Sequence, residues 1–212
     1  MPAFTHPGAV RHCWDHLVIT LRDESTGAET GFISLYAIAY SATLGAGTVA
    51  ILDVAGESGM EGLNGTFADQ ADLGARQQAR LLEMGDAREA LRTPPVESRF
   101  ERIPFGADGF GYRIETADHE IEARWMATEP PFWVDGSNGG FHDLEDIWAL
   151  MVSATEARIV VDGRDVPGAP FSDDVWVAKL GRPLSSAHGA LAEVRVQPVS
   201  DRATGSARGG PR

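Results

Sequence analysis

The densest cluster able to do acid, base or hydrogen-bond chemistry is "GGFHDLEDIW" at 139–148, which sets His142, Asp143, Glu145 and Asp146 beside an apolar run. In an apolar wall a carboxyl keeps its proton, so it can protonate an alkene or polarise a carbonyl. His142 and Glu145 are the catalytic candidates there, together with Tyr36, whose phenol can donate to a substrate oxygen. Other constellations carry less. His12, Cys13, Asp15 and His16 include an i, i+4 pair, but zinc needs that spacing on a helix and a further ligand elsewhere, so no metal is expected. Ser185, Ser186 and His188 in "SSAHG" lack a nucleophile elbow and read as a turn. "GADGFG" at 106–111 has the glycines of a phosphate loop without the helix that would present its N-terminus, and reads as a hairpin turn.

These residues must be placed by strands. "HLVITL" at 16–21 alternates Leu17, Ile19 and Leu21 with His16, Val18 and Thr20, putting one set on a core face. After the polar "RDESTGAETG", the run "FISLYAIAY" at 32–40 is apolar on both faces, and "GTVAILDVA" at 47–55 adds a third strand. The stretch 67–92 breaks the pattern: Leu73, Gln77, Leu81, Met84 and Arg88 form a stripe at helical spacing, ended by Pro94 and Pro95. Gly74 and Gly85 weaken that helix by about 1 kcal/mol each relative to alanine, so it reads as one helix or two short ones. Strands resume at "SRFERIPF" and "GFGYRIET", then at 119–127, 147–154, 157–163, 174–181 and 190–197. On 119–127, Ile121, Ala123 and Trp125 alternate with Glu120, Glu122 and Arg124, which sends Glu122 outward if Trp125 faces in.

This pattern predicts an all-β fold: a mainly antiparallel barrel of about 8–10 strands with one helical insert, not a βαβ fold. Residues 14–198 form one domain between a loose N-terminus (1–13) and a polar, Gly-rich, disordered tail (199–212). A barrel of that size holds one small ligand. The predicted substrate wall is Tyr40, Phe110, Tyr112, Trp125, Trp133, Trp148 and Trp176; for each of these, plain core packing is the alternative, because aromatic residues dominate cores.

Composition narrows the partners. The formal charge is −13, from 18 basic and 31 acidic residues, and Lys179 is the only lysine. Nothing here displaces counterions from a nucleic acid or sits on an anionic membrane, so the expected partner is a hydrophobic small molecule. The single cysteine, Cys13, cannot make an intrachain disulfide. The N-terminus lacks a basic region followed by an apolar core, and no apolar run nears the roughly 20 residues that span a bilayer. A cytoplasmic location is expected.

"ARWMATEPPFWVDGSNGGF" and "ARIVVDGRDVPGAPFSDDVWVAKLGR" join an apolar strand, a Pro-Pro break, a Gly-rich stretch, a strand ending in V-x-G and a Trp-bearing run. That order resembles the lipocalin-like barrel half of carotenoid 1,2-hydratases (hydroxyneurosporene synthases) and of the lipocalin-like cyclases of polyketide pathways, among them Diels–Alderases and hetero-Diels–Alderases. "DHLVITLRDESTGAETGFISLYAIAY" is similar to their opening hairpin, and the likeness runs from Trp14 to Gln197. Many members carry two barrels with the ligand near the junction, and this chain has room for one. A single barrel either keeps its cavity inside or completes a mouth by pairing as a homodimer. The resemblance implies a cofactor-independent cyclase that folds a hydrophobic polyketide or terpenoid precursor. Holding reactive ends together contributes up to roughly 7–11 kcal/mol without acid, base or metal. The alternatives are a carrier that does no chemistry and a double-bond hydratase or isomerase.

Overall fold

Apolar residues recur at every second position in the first two strands, and both faces of the resulting sheet are used. A computed structural model describes residues 8–56, 61–107, 109–136 and 146–197. In chain order the first elements are β1 (Ala9–Arg22), β2 (Glu29–Ser41), β3 (Gly47–Val54), β4 (Leu63–Ala68) and helix α1 (Ala71–Glu83). A 3-10 turn at Glu89–Leu91 precedes β5 (Val96–Glu97), β6 (Arg99–Gly106), β7 (Gly109–Glu115), β8 (Glu120–Thr128) and β9 (Phe132–Asp135). Then come β10 (Asp146–Val161), β11 (Arg164–Asp165) and β12 (Ser172–Asp173). A 3-10 turn at Asp174–Trp176 runs into α2 (Val177–Leu180), and β13 (Leu184–Ser185) and β14 (Ala187–Gln197) finish the described chain.

The strand order is β5-β4-β3-β2-β1-β14-β10-β8-β7-β6, with β9 and β11 also paired to β10. All pairs are antiparallel except β4–β5, so the sheet is mixed, and it curls strongly into a half-barrel. Its end strands β5 and β6 are not paired to each other among the described residues. One core cluster contains Leu52 and Phe67 from one end of this order and Phe110, Ile114 and Trp125 from the other, with Leu17, Ile19, Leu21 and Leu35 between them. The curl thus wraps a filled concave face. Trp125 is 0% exposed, stacks on Phe110 and donates its indole N–H to the Val18 carbonyl at 2.9 Å. Tyr112 lies in the same core. Phe110, Tyr112 and Trp125 are therefore packing residues, not the lining of an internal cavity.

Other expectations change for local reasons. The predicted insert at 67–92 begins with the end of β4, and only 71–83 is α-helical. Gly74, a weak point of that helix by propensity, allows a close approach: a Cβ there would stand 2.8 Å from the Pro95 Cβ. The two strands expected at 147–154 and 157–163 are one, β10, because nothing at Thr155–Glu156 breaks it. Its first half pairs with β14 and β9, and its second half with β8 and β11. Asp162 and Gly163 then make a tight turn with φ of 51° and 75°, as a two-residue hairpin loop requires. The strand expected at 174–181 is helical instead. Asp173 accepts the Val175 N–H at its start, and Gly181, with φ 69°, sends its N–H back to Val177 at its end. "SSAHG" is no turn: Ser185 ends β13 and His188 lies in β14.

Helix α1 covers the convex face over β2–β4, burying Leu73 and Leu81 with Tyr36, Ile38 and Ile51. Gln78 satisfies its amide on Thr66 and the Thr93 carbonyl, whereas both polar atoms of the buried Gln77 side chain lack a partner among the described residues. An unmade hydrogen bond costs more than an apolar replacement of similar shape. Gln77→Met is expected to raise stability by about 1 kcal/mol. Urea denaturation checks this, and a loss of stability would mean that the amide has a partner after all.

Candidate functional site

The convex face carries the site. Between the end of α1 and the Asp174–Leu180 segment the sheet is left uncovered, and a groove of about 370 Å³ opens there. Its floor is β1 and β14, its apolar wall is Val134 of β9 with Ile147, Ala149 and Met151 of β10, and its overhang is Met84, Val175, Trp176 and Lys179. That volume suits a small organic ligand. Other clefts, of about 330 Å³ at Glu29–Arg88 and about 450 Å³ at His119–Asp162, are lined around surface ion pairs.

Two imidazoles sit in the floor. His16 on β1 lies opposite Tyr36 on β2, and the rings stack at 4.1 Å and 9°. Its Nε2 is 3.0 Å from the Ser34 hydroxyl. His188 on β14 lies opposite Val18, two pairs along the strand, and its Nδ1 is 2.7 Å from the Ser185 carbonyl. A carbonyl only accepts, so Nδ1 carries the proton and Nε2 of the neutral ring is left as the acceptor. Trp176 closes edge-on over this ring at 5.3 Å and 81°. Burial lowers the pKa of both histidines; for His16 the nearby Arg195 adds to the effect. Burial likewise pushes the Tyr36 phenol up. His12, stacked on Trp14 beyond the groove, is lowered to about 4, first by burial and then by Arg80 and Arg195.

Two bulges decide what reaches this face. On β14, Leu191 and Ala192 together oppose Asp15, because Trp14 pairs with Glu193 while His16 pairs with Ala190. The extra residue reverses the alternation, so Glu193 and Arg195 line the groove alongside His188 and Ala190. Glu193 there accepts from the Trp14 indole at 2.9 Å and from Arg195 at 2.5 Å. The Asp15 carboxylate holds the bulge by accepting the Ala192 N–H at 2.8 Å, and Ala192 takes a left-handed φ of 46°. On β2, Cys13 pairs with Tyr40 but Trp14 with Ile38, so Ala39 is extra. Tyr40 is thereby turned off the face that holds Tyr36, and is 49% exposed.

Of the residues proposed from sequence, the structure brings Trp176 to the groove directly and Tyr36 through its stack on His16. Trp133 is 61% exposed beside the groove-lining Val134, and Trp148 alternates with the groove-lining Ile147 and Ala149. His142 and Glu145 lie outside the described residues. His16, His188, Glu193 and Arg195 were missed as groove residues: the histidines stood in unpromising motifs, and the bulge hid the other two. Among the described residues no group of three His, Cys, Asp or Glu side chains is placed to hold a metal ion. No described helix is long and apolar enough to cross a membrane.

No family model matches the chain, and no curated protein sequence matches it. Among solved structures it is similar to an acetoacetate decarboxylase from Legionella pneumophila subsp. pneumophila str. Philadelphia 1, with a TM-score of 0.36 and 8% identity, over 93% of this chain and 89% of that one. A likeness of that size does not reach to activity.

The buried histidines make stability depend on pH. Each is neutral when folded and takes a proton when unfolded, so the unfolded state binds more protons from about pH 6.5 down to the lowered folded values. Their contribution is whole above about pH 6.5 and is lost as pH falls toward the folded values. The thermal midpoint should therefore drop between pH 7.5 and 5.5; a flat profile contradicts neutral burial. Separately, Ala192→Gly relieves the left-handed strain and should add about 1 kcal/mol in chemical denaturation. No gain would mean that the bulge adopts another backbone.

Proposed function

We propose that the chain binds a hydrophobic small molecule in the convex groove and acts there as a cofactor-independent cyclase on a polyketide or terpenoid precursor. One observation carries this reading: an apolar wall faces two imidazoles kept uncharged, and a groove of that kind takes an oily substrate with an oxygen function. The wall folds the chain of the substrate so that its reactive ends meet, and the imidazoles hydrogen-bond its oxygen. On this reading the half-barrel is a lipocalin-like barrel left open between β5 and β6, with its ligand moved from the filled inside to the outer face.

A carrier without chemistry is the second reading. The exposed apolar lip favours it, since Met84 is 57% and Val175 69% exposed and both meet an entering ligand. Hydration of a double bond is a third outcome of the same test. The purified chain is incubated in D₂O with EDTA and linear conjugated trienes that bear a tethered alkene. A cyclase returns an isomer of unchanged mass with no deuterium in new C–H bonds. A carrier returns the triene unchanged but shields it, and a hydratase adds water and deuterium. Ala149→Trp fills the groove and should abolish turnover while the fold persists; turnover that survives it would place the site elsewhere.

A further inference from the structure

The hydrogen-bonding state of His188 restricts what the groove can hold. Its Nδ1–H is committed to the Ser185 carbonyl at 2.7 Å, which fixes the other nitrogen as a lone-pair acceptor while the ring is neutral. No described residue donates to that Nε2, and the ring that carries it lines the groove. The neighbouring Ser186 hydroxyl cannot substitute for it: that oxygen donates to the Thr20 carbonyl at 2.7 Å and accepts the Phe171 N–H at 3.0 Å. A ligand that buries Nε2 without offering it a donor would leave a desolvated acceptor unpaired, at a cost comparable to a lost hydrogen bond.

We infer that the ligand presents an acidic hydroxyl, of a phenol or an enol, to His188 Nε2. Resting on the groove reading above, this names the substrate class within it. An ammonium group also donates, but both carboxylates of the groove are already engaged, Glu193 by the Trp14 indole and Arg195 and Asp173 by the Val175 N–H, so its full charge would be buried against an apolar wall without a counterion of its own. A ketone or ether oxygen offers no proton. An enol or phenol does, as a neutral group that needs no counterion. The bond to the Ser185 carbonyl keeps the ring from turning to offer its other nitrogen. His188 is then a specificity-determining residue that discriminates the enol or phenol from its carbonyl or alkylated counterpart.

The test uses 2-naphthol and 2-methoxynaphthalene, which have the same aromatic body and differ by the proton. Binding to the whole chain is measured by calorimetry at pH 7.5. Burial alone favours the ether, the more apolar of the two. The inference expects the naphthol to bind roughly ten-fold more tightly, with that preference lost in His188→Phe and kept in His119→Phe, at the surface ion pair outside the groove. Should His188→Phe fail to fold, His188→Met replaces it, and the wild-type comparison stands by itself. Equal binding, or preference for the ether, overturns the hydroxyl inference and leaves the groove reading intact. A naphthol preference that survives loss of the imidazole also overturns it. If neither compound binds, both readings fall together.

Discussion

Trp125 is fixed from two sides, by its stack on Phe110 and by the bond from its indole to the Val18 carbonyl, and this fixes the sheet around it. The bond ties β8 to β1 across the concave face. Burying so large a ring, with its one polar atom satisfied, removes both apolar area and an unpaired donor from consideration. With Leu17, Ile19, Leu35, Leu52 and Ile114 packed around it, the inside of the curl is solid. The open apolar space lies on the convex face. There α1 and the Asp174–Leu180 segment cover the sheet incompletely, and the gap between them is the groove.

Composition of the groove floor depends on backbone irregularity as much as on side-chain type. Without the extra residue at Leu191–Ala192, strict alternation would send Glu193 and Arg195 to the opposite face from His188. Asp15 pays for the strained Ala192 by capturing its N–H, and Arg102 stands 3.6 Å from the same carboxylate. One short acidic side chain thereby connects the placement of the groove's charges to an edge strand of the sheet. The guanidinium it helps to aim is one of the groups that keep His16 uncharged.

The mostly-β character and several of the longer strands were legible because Leu17–Ile19–Leu21 and Ile121–Ala123–Trp125 alternate cleanly, whereas β4 and β9 were not foreseen. The site was much less legible. Tyr36 and Tyr40 lie four residues apart and share a face in any regular strand, but the extra Ala39 parts them. Period-two apolar spacing at Val175 and Val177 suggested a strand, whereas the Asp173 cap and the Gly181 stop were the stronger signals. Nor did alternation say which face of a two-sided apolar sheet would be filled. That depends on how far the sheet curls, a property of the whole sheet and of no single segment.

The central claim is that the concave face is closed and the convex groove receives the ligand. Indole N–H signals of the chain labelled with ¹⁵N-tryptophan, followed by NMR as 2-naphthol is added, test it most directly. The account predicts that the Trp176 signal moves with ligand while the Trp125 signal stays in place and remains protected from exchange. Movement of the Trp125 signal with an unmoved Trp176 would put the ligand inside the curl and contradict it.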